Sequence, residues 1–242
     1  YDDEGNYEEG LWTALNMATI VPVDLSAKVR RVKSDFEIEM IMDAAKEAEK
    51  AADRILKKYV SHKSLALISW IPTNEIPMEM HRKYPHRPFS IVKSHTYAGA
   101  MAGPRTDPHS APDLTERFQK HIANQLLVVV SNGWGAELER CFTLGKPLEE
   151  VIVAYDAVIR ANNAAIEMMR PGTCVDHMAE ASYAVLDEVT VNGYKLSDEN
   201  VRKHRVFHGI GHDVHEPPFG GLGSRAILKE GDVISCENGV YI

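Results

Sequence analysis

The sequence predicts an α+β fold in which helices lie on one side of a curved antiparallel sheet, and three observations predict it. Long segments carry apolar residues at helical spacing. A buried apolar run passes through a polar turn into a returning strand. Paired helices are followed by short strands instead of alternating with them, which favours segregated layers over a parallel α/β sheet.

The elements follow in chain order. Residues 1 to 22 are acidic and then apolar, ending at Pro22. Lys33 to Tyr59 is predicted as a helix: Ser34 can cap it, Glu37 stands three positions on, and Ile38, Ile41, Ala45, Ala48, Ala52 and Ile55 recur at helical spacing. Leu65 to Trp70 is a short apolar run, a strand or a helix end, and the stretch from Ile71 to Pro88 holds four prolines and little regular signal. Phe89 to Lys93 and Leu126 to Val130 are predicted strands, the second buried on both faces, with Gly133 to Leu144 returning as its hairpin partner. Leu148 to Met169 is a second long helix, stopped by Arg170-Pro171-Gly172, and Val175 to Val191 a third, stopped by Asn192-Gly193. Arg205 to Phe207, a Gly- and Pro-rich loop and a final strand Val233 to Cys236 complete the pattern.

Composition narrows the function. The 242 residues are 44% hydrophobic and 26% charged, enough for a substantial core. A formal charge of −8 argues against a nucleic-acid groove, which needs clustered Lys and Arg. Apolar runs such as Leu126 to Val130 fall far short of the roughly 20 residues of a membrane helix, so no membrane partner is expected. The three cysteines, Cys141, Cys174 and Cys236, are far apart and odd in number, and are expected to be reduced core residues of a cytoplasmic protein.

Four segments carry chemistry. In Phe207-His208-Gly209-Ile210-Gly211-His212-Asp213-Val214-His215-Glu216-Pro217-Pro218, the glycines and prolines argue against a helix and for an extended loop whose backbone approaches a ligand closely. Its imidazoles suit a divalent ion or proton transfer near neutral pH; the alternative is surface histidines. In Gly103-Pro104-Arg105-Thr106-Asp107-Pro108-His109, Pro108 fixes the backbone before an imidazole, which suits a positioned base, although an ordinary turn explains the segment equally well. In the returning strand Glu137 and Glu139 are two apart and share a face. They suit a hard cation or a guanidinium, or else form a solvated strand edge. Glu237 stands inside the apolar run Val233-Ile234-Ser235-Cys236-Glu237, where a carboxylate is costly unless paired or metal-bound.

Taken in this order, these segments resemble the pita-bread hydrolase family, that of creatinase, prolidase, aminopeptidase P and methionine aminopeptidase. Arg30-Arg31-Val32-Lys33-Ser34 with Glu37 and Ile38 is similar to the Arg-x-x-Lys-Ser/Thr-x-x-Glu-Ile helix start of that family. The resemblance implies a pita-bread catalytic domain over residues 23 to 242, preceded by the end of a creatinase-type N-terminal domain in residues 1 to 22, with the closing strands lying beyond the last residue. It implies that His208, in His-Gly-Ile-Gly, is a metal ligand and that His215, in His-Glu-Pro-Pro, contacts substrate. His109 matches the Pro-His histidine that holds the scissile group in the peptidases and transfers a proton in creatinase. Glu237 matches the glutamate of Glu-Pro-Gly-x-Tyr, a metal ligand in the peptidases and a substrate contact in creatinase. In the peptidases a pair of aspartates bridges the metals. Here Ser131 stands at the first of these places and Glu137 at the second, with a shorter loop between them. Glu137-Leu138-Glu139-Arg140 is similar to the Ala-Leu-Glu-Arg of creatinase, which gives Glu139 a catalytic, substrate-binding role.

Three functions are implied. The first is a metal-dependent Xaa-Pro peptidase acting on a short peptide, with Mn, Zn or Co held by Glu137, His208 and Glu237 and with His109 and His215 acting on substrate; the Ser131 departure reduces the usual pair of ions to one or none. The second is a metal-free, creatinase-like amidinohydrolase acting on a small guanidino compound. The third is a non-catalytic binding relative. A homodimer is the implied assembly.

Overall fold

The computed structural model describes residues 25–59, 95–102, 122–131, 133–202 and 204–241, together with Glu75, Met78 and Arg82. The apolar run Leu65 to Trp70, expected as a strand or a helix end, the expected strand at Phe89 to Lys93, the tail at residues 1 to 22 and the His109 motif lie outside the described residues. The described elements are α1 (Leu25–Arg31), α2 (Asp35–Tyr59), β1 (His95–Ala102), β2 (Ile122–Ser131), β3 (Trp134–Thr143), α3 (Glu149–Ile166), α4 (Val175–Asp187), β4 (Thr190–Val191), β5 (Tyr194–Lys195), β6 (Phe207–Gly209), β7 (Glu216–Gly220) and β8 (Ile234–Cys236).

The α2 helix starts where the sequence places its cap. Glu37 Oε2 accepts from the Ser34 backbone N–H at 2.6 Å and from Ser34 Oγ at 2.8 Å, which satisfies a donor that the first helical turn leaves unpaired. Helix α1, just before it, is seven residues long and buries Ala27. The third predicted helix is shorter than expected. The chain leaves α4 at Asp187, and Asn192 (φ 51°) and Gly193 (φ 82°) form the turn of a small β4–β5 hairpin. Positive φ at both central residues is what a two-residue hairpin turn needs, so Asn-Gly here reverses a strand instead of stopping a helix. The α3 helix likewise ends at Ile166, ahead of the expected Met169.

Strands pair as β1-β2-β3 and as β7-β6-β8, all antiparallel. Alternation along β2 and β3 separates their two faces. Leu127, Val129, Trp134 and Ala136 pack with Met40, Ile41, Ala44 and Ala48 of α2 in one core. In the second core, Phe207 of β6 packs with Ala157 and Ala161 of α3 and with Met178, Ala179 and Leu186 of α4, while Ile234 and Cys236 of β8 lie against its edge. Helices therefore back the outer face of each sheet, as the α+β reading requires, and the two inner faces meet. Cys141 is exposed and Cys174 and Cys236 are half-buried; all three are free thiols, so Cys141 is not the core residue expected.

Candidate metal centre

Strand alternation decides which side chains reach the space between the sheets. In β6, Phe207 points into the helix-backed core, so His208 points the other way. In β3, Ala136 and Leu138 face α2, so Glu137 and Glu139 face inward, opposite Val128 and Leu126. Glu237 follows β8 directly, and its backbone N–H donates to Val206 O at 2.9 Å, next to β6. These placements bring His208 Nε2 to 2.9 Å from Glu237 Oε1 and 3.3 Å from Glu137 Oε2. His208, His215 and Glu237 each offer a ligand atom within 4.8 Å of the others. His208 is buried, Glu237 half-buried and His215 exposed. The imidazoles of His208 and His215 lie 4.3 Å apart between centroids.

Of the sequence-predicted site residues, Glu137, His208, His215 and Glu237 thus meet at one place, and Glu139 stands one strand step beyond Glu137. The structure also brings His215, expected to contact substrate, within reach of a shared ion. His109 lies outside the described residues.

The donor set fits a cation. His208 Nδ1 lies 3.0 Å from Gly209 O, so the proton on Nδ1 is held there and Nε2 is directed into the site. Nε2 and Glu137 Oε2 are shielded from solvent, yet neither makes an aligned hydrogen bond although they approach closely. Two carboxylates converging on one buried imidazole nitrogen form an arrangement that needs positive charge among them, a proton on Nε2 or a bound cation in its place.

The same crowding sets the proton equilibria. Burial by itself would lower the His208 pKa, but Glu137 and Glu237 outweigh burial and raise it from 6.5 to about 10. Burial, with Glu237 and then Glu137 adding repulsion, pushes Glu139 up to about 7. The sign for ion binding follows: below pH about 10 the ion-free site carries a proton on His208 that an ion must displace. The expected result is a net release of about one proton per ion at pH 7.5, with apparent affinity rising about tenfold per pH unit across the neutral range. Calorimetric ion titrations in buffers of different ionisation enthalpy measure this, and no dependence on buffer would contradict it.

Ser131 is not beside the other candidates. It pairs with Trp134 at the hairpin end, three residues from Val128, the partner of Glu137. An odd step along a strand changes the face. Ser131 is buried on the α2 side with Val129 and Trp134, whereas Val128 and Val130 occupy the inward positions of β2. Among the described residues, β2 contributes no acidic ligand opposite Glu137.

The histidine loop is fixed from two directions. On one side the Gly135 N–H donates to Gly211 O at 2.7 Å, His212 Nδ1 lies 2.7 Å from Gly133 O, and the His212 ring packs on Trp134 with centroids 3.8 Å apart. On the other, Lys33 Nζ is paired with Glu216 Oε1, both side chains almost fully buried, and Arg30 pairs with Asp213 at 2.7 Å. The sequence reading gave Lys33 and Glu216 no role. The available signal was that each belongs to a motif of the site, Arg-x-x-Lys in one case and His-Glu-Pro-Pro in the other; their pairing across 183 positions is visible only in the fold.

A family model described as metallopeptidase family M24 matches residues 38–242. Among curated proteins, the chain is 27% identical over 230 residues to a probable dipeptidase PepE of Mycobacterium tuberculosis, covering 94% of this chain and 56% of that one. It is 24% identical over 225 residues to an Xaa-Pro dipeptidase of Pyrococcus furiosus, covering 90% of this chain and 58% of the relative. The chain therefore spans little more than half the length of these relatives. Among solved structures, a prolidase from Thermococcus sibiricus superimposes with a TM-score of 0.77 at 22% identity, covering 98% of this chain and 62% of that one, and so shares the pita-bread fold.

Proposed function

The chain belongs to metallopeptidase family M24, and from that premise we propose that it is the catalytic part of a metal-dependent hydrolase that cleaves the C–N bond of short peptides, Xaa-Pro dipeptides first among them, with one divalent ion. The observation that carries the reading is the convergence of the unaligned His208 Nε2 with Glu137 and Glu237. Glu137, His208 and Glu237 would hold the ion, with His215 alongside. Bound there, Mn, Zn or Co supplies Lewis acidity at the scissile carbonyl and lowers the pKa of the attacking water. The protein does the rest. His208 is held in one tautomer by Gly209 O. His215, exposed beside His208, would contact the substrate carbonyl. Glu139, with a pKa near 7, would exchange a proton or grip the cationic end of the substrate. His109 keeps the role implied by its Pro-His motif, that of holding the scissile group. The names of the relatives, a dipeptidase and an Xaa-Pro dipeptidase, support this substrate class.

The one-ion count rests on the register that turns Ser131 toward α2. Ser131→Asp is therefore expected not to recreate a second ion position. It places a carboxylate among Val129 and Trp134, at a cost of several kcal/mol. A variant that gains a second equivalent of metal without loss of thermal stability contradicts this placement.

The same register favours a second reading, a metal-free amidinohydrolase in which Glu137, Glu139 and Glu237 surround a guanidinium. Elemental analysis of the purified full-length protein, with hydrolysis assays on Xaa-Pro dipeptides before and after chelation, decides between them. About one equivalent of Mn, Zn or Co and chelator-sensitive peptide hydrolysis is the expected result. Two equivalents overturn the one-ion count. Turnover of a guanidino compound by fully demetallated protein overturns the peptidase reading.

A further inference from the structure

Glu237 is followed by a residue whose side chain is almost fully buried with both of its polar atoms hydrogen-bonded. Asn238 is 8% exposed; its Nδ2 donates to Asn162 Oδ1 at 2.7 Å, its backbone N–H donates to the same oxygen at 3.1 Å, and its Oδ1 accepts from Ser182 Oγ at 2.7 Å. Asn162 belongs to α3 and Ser182, with no exposed surface, to α4. Cys236 Sγ, on the other side of Glu237, also contacts Asn162 Oδ1 at 3.5 Å. The peptide bearing the Glu237 carboxylate is thus gripped on both flanks by the helix pair, while the carboxylate reaches His208 Nε2 at 2.9 Å.

We propose that Asn238, clamped by Asn162 and Ser182, is the positioning residue that aims Glu237 at the ion site. The segment resembles Glu-Pro-Gly-x-Tyr, with asparagine at the proline position. A proline there would fix φ through its ring and could donate no backbone hydrogen bond. Asparagine leaves the backbone freer, and the side-chain network supplies the missing constraint. The alignment of Glu237 therefore depends on the packing of α3 against α4. Because a buried hydrogen-bonded polar cluster is strongly directional, losing one member frees the others to shift.

The inference rests on the proposed ion site, and its test separates the two. Full-length wild type, Asn238→Ala, Ser182→Ala and Asn238→Pro are compared by Mn(II) titration, by thermal unfolding and by crystal structures of the metal-free forms. Asn238→Ala is expected to weaken Mn(II) binding by about 10–100-fold, the range for groups that orient a metal ligand, and Ser182→Ala, which removes a single bond, by less. Both are expected to lengthen the Glu237–His208 contact beyond its 2.9 Å. Asn238→Pro, which loses the side-chain bonds and the backbone N–H bond to Asn162 as well but restricts φ, is expected to recover affinity toward wild type even if it unfolds earlier. The proposal is overturned if the alanine variants lower stability but leave affinity and the contact unchanged, or if Asn238→Pro weakens binding as much as Asn238→Ala. Should Asn238→Ala fail to fold, Ser182→Ala decides by the same measures. Should wild type bind no Mn(II), the ion site falls, and the Glu237–His208 distance in the metal-free crystals still decides the positioning role.

Discussion

Lys33→Met is expected to destabilise the protein by about 3–5 kcal/mol, because it leaves the Glu216 carboxylate buried without its partner. The Lys33 side chain is 0% and that of Glu216 2% exposed, so water cannot replace the lost ammonium. The pair also ties the site together. Lys33 Nζ donates to Arg31 O at 3.1 Å, and Glu216 Oε2 accepts weakly from the Asp213 N–H at 3.4 Å, so one buried charge pair joins the α1–α2 junction to the loop that carries His212 and His215. Set against a typical total stability of about 5–15 kcal/mol, the loss is large, roughly 6–20 °C in Tm for a chain of this size. Thermal unfolding of the full-length variant measures it. The double variant Lys33→Met/Glu216→Leu removes both charges and is expected to recover most of the loss. A double variant as unstable as the single one would show that the lysine matters through its packing alone.

His208→Ala is the variant expected to cost most function. Among the described residues it removes the only imidazole of the site that is buried, and it removes the nitrogen on which Glu137 and Glu237 converge. A change to an outer-shell partner costs about 10–100-fold in metal affinity, so loss of a ligand itself should exceed that range and take hydrolysis of Xaa-Pro dipeptides below detection. The fold should survive, since the side chain points away from the core that holds Phe207, although the carboxylates of Glu137 and Glu237 left without their partner are expected to lower the stability of the ion-free protein. Elemental analysis alongside unfolding separates the outcomes. A variant that folds, keeps its metal and keeps its activity would remove His208 from the centre.

Much of this was legible before any coordinates. Capping at Ser34 and Glu37, the helix that follows, the β2–β3 hairpin and the shared face of Glu137 and Glu139 all depend on neighbours within a few positions, and such signals are written locally. The extended conformation of the histidine loop was legible for the same reason, since glycine and proline exclude a helix whatever surrounds them. The outward turn of Ser131 is a matter of counting. Once Ser131 is paired with Trp134, the pairing of Val128 with Glu137 is arithmetic, and Ser131 and Glu137 cannot both face the site. The remaining features depend on contacts distant in sequence. Nothing near Lys33 announces Glu216, and nothing near Asn238 announces Asn162 or Ser182, because such partners are chosen by the packing of whole elements. The Asn192-Gly193 step was ambiguous locally, since the same dipeptide ends helices and reverses strands.

The inner faces of the two sheets supply different members of the ion site: Glu137 comes from one, His208 and Glu237 from the other. An ion held by all three works as a clasp between halves of the domain whose apolar cores are separate. At a free concentration one hundred times its dissociation constant it would add about 2.7 kcal/mol against unfolding. The demetallated protein should therefore breathe along this seam first, taking up deuterium at β3 and β6 before the helices that back them do. Enzyme stored without its ion would age by parting there, and would be restored by resupply only for as long as the halves still meet.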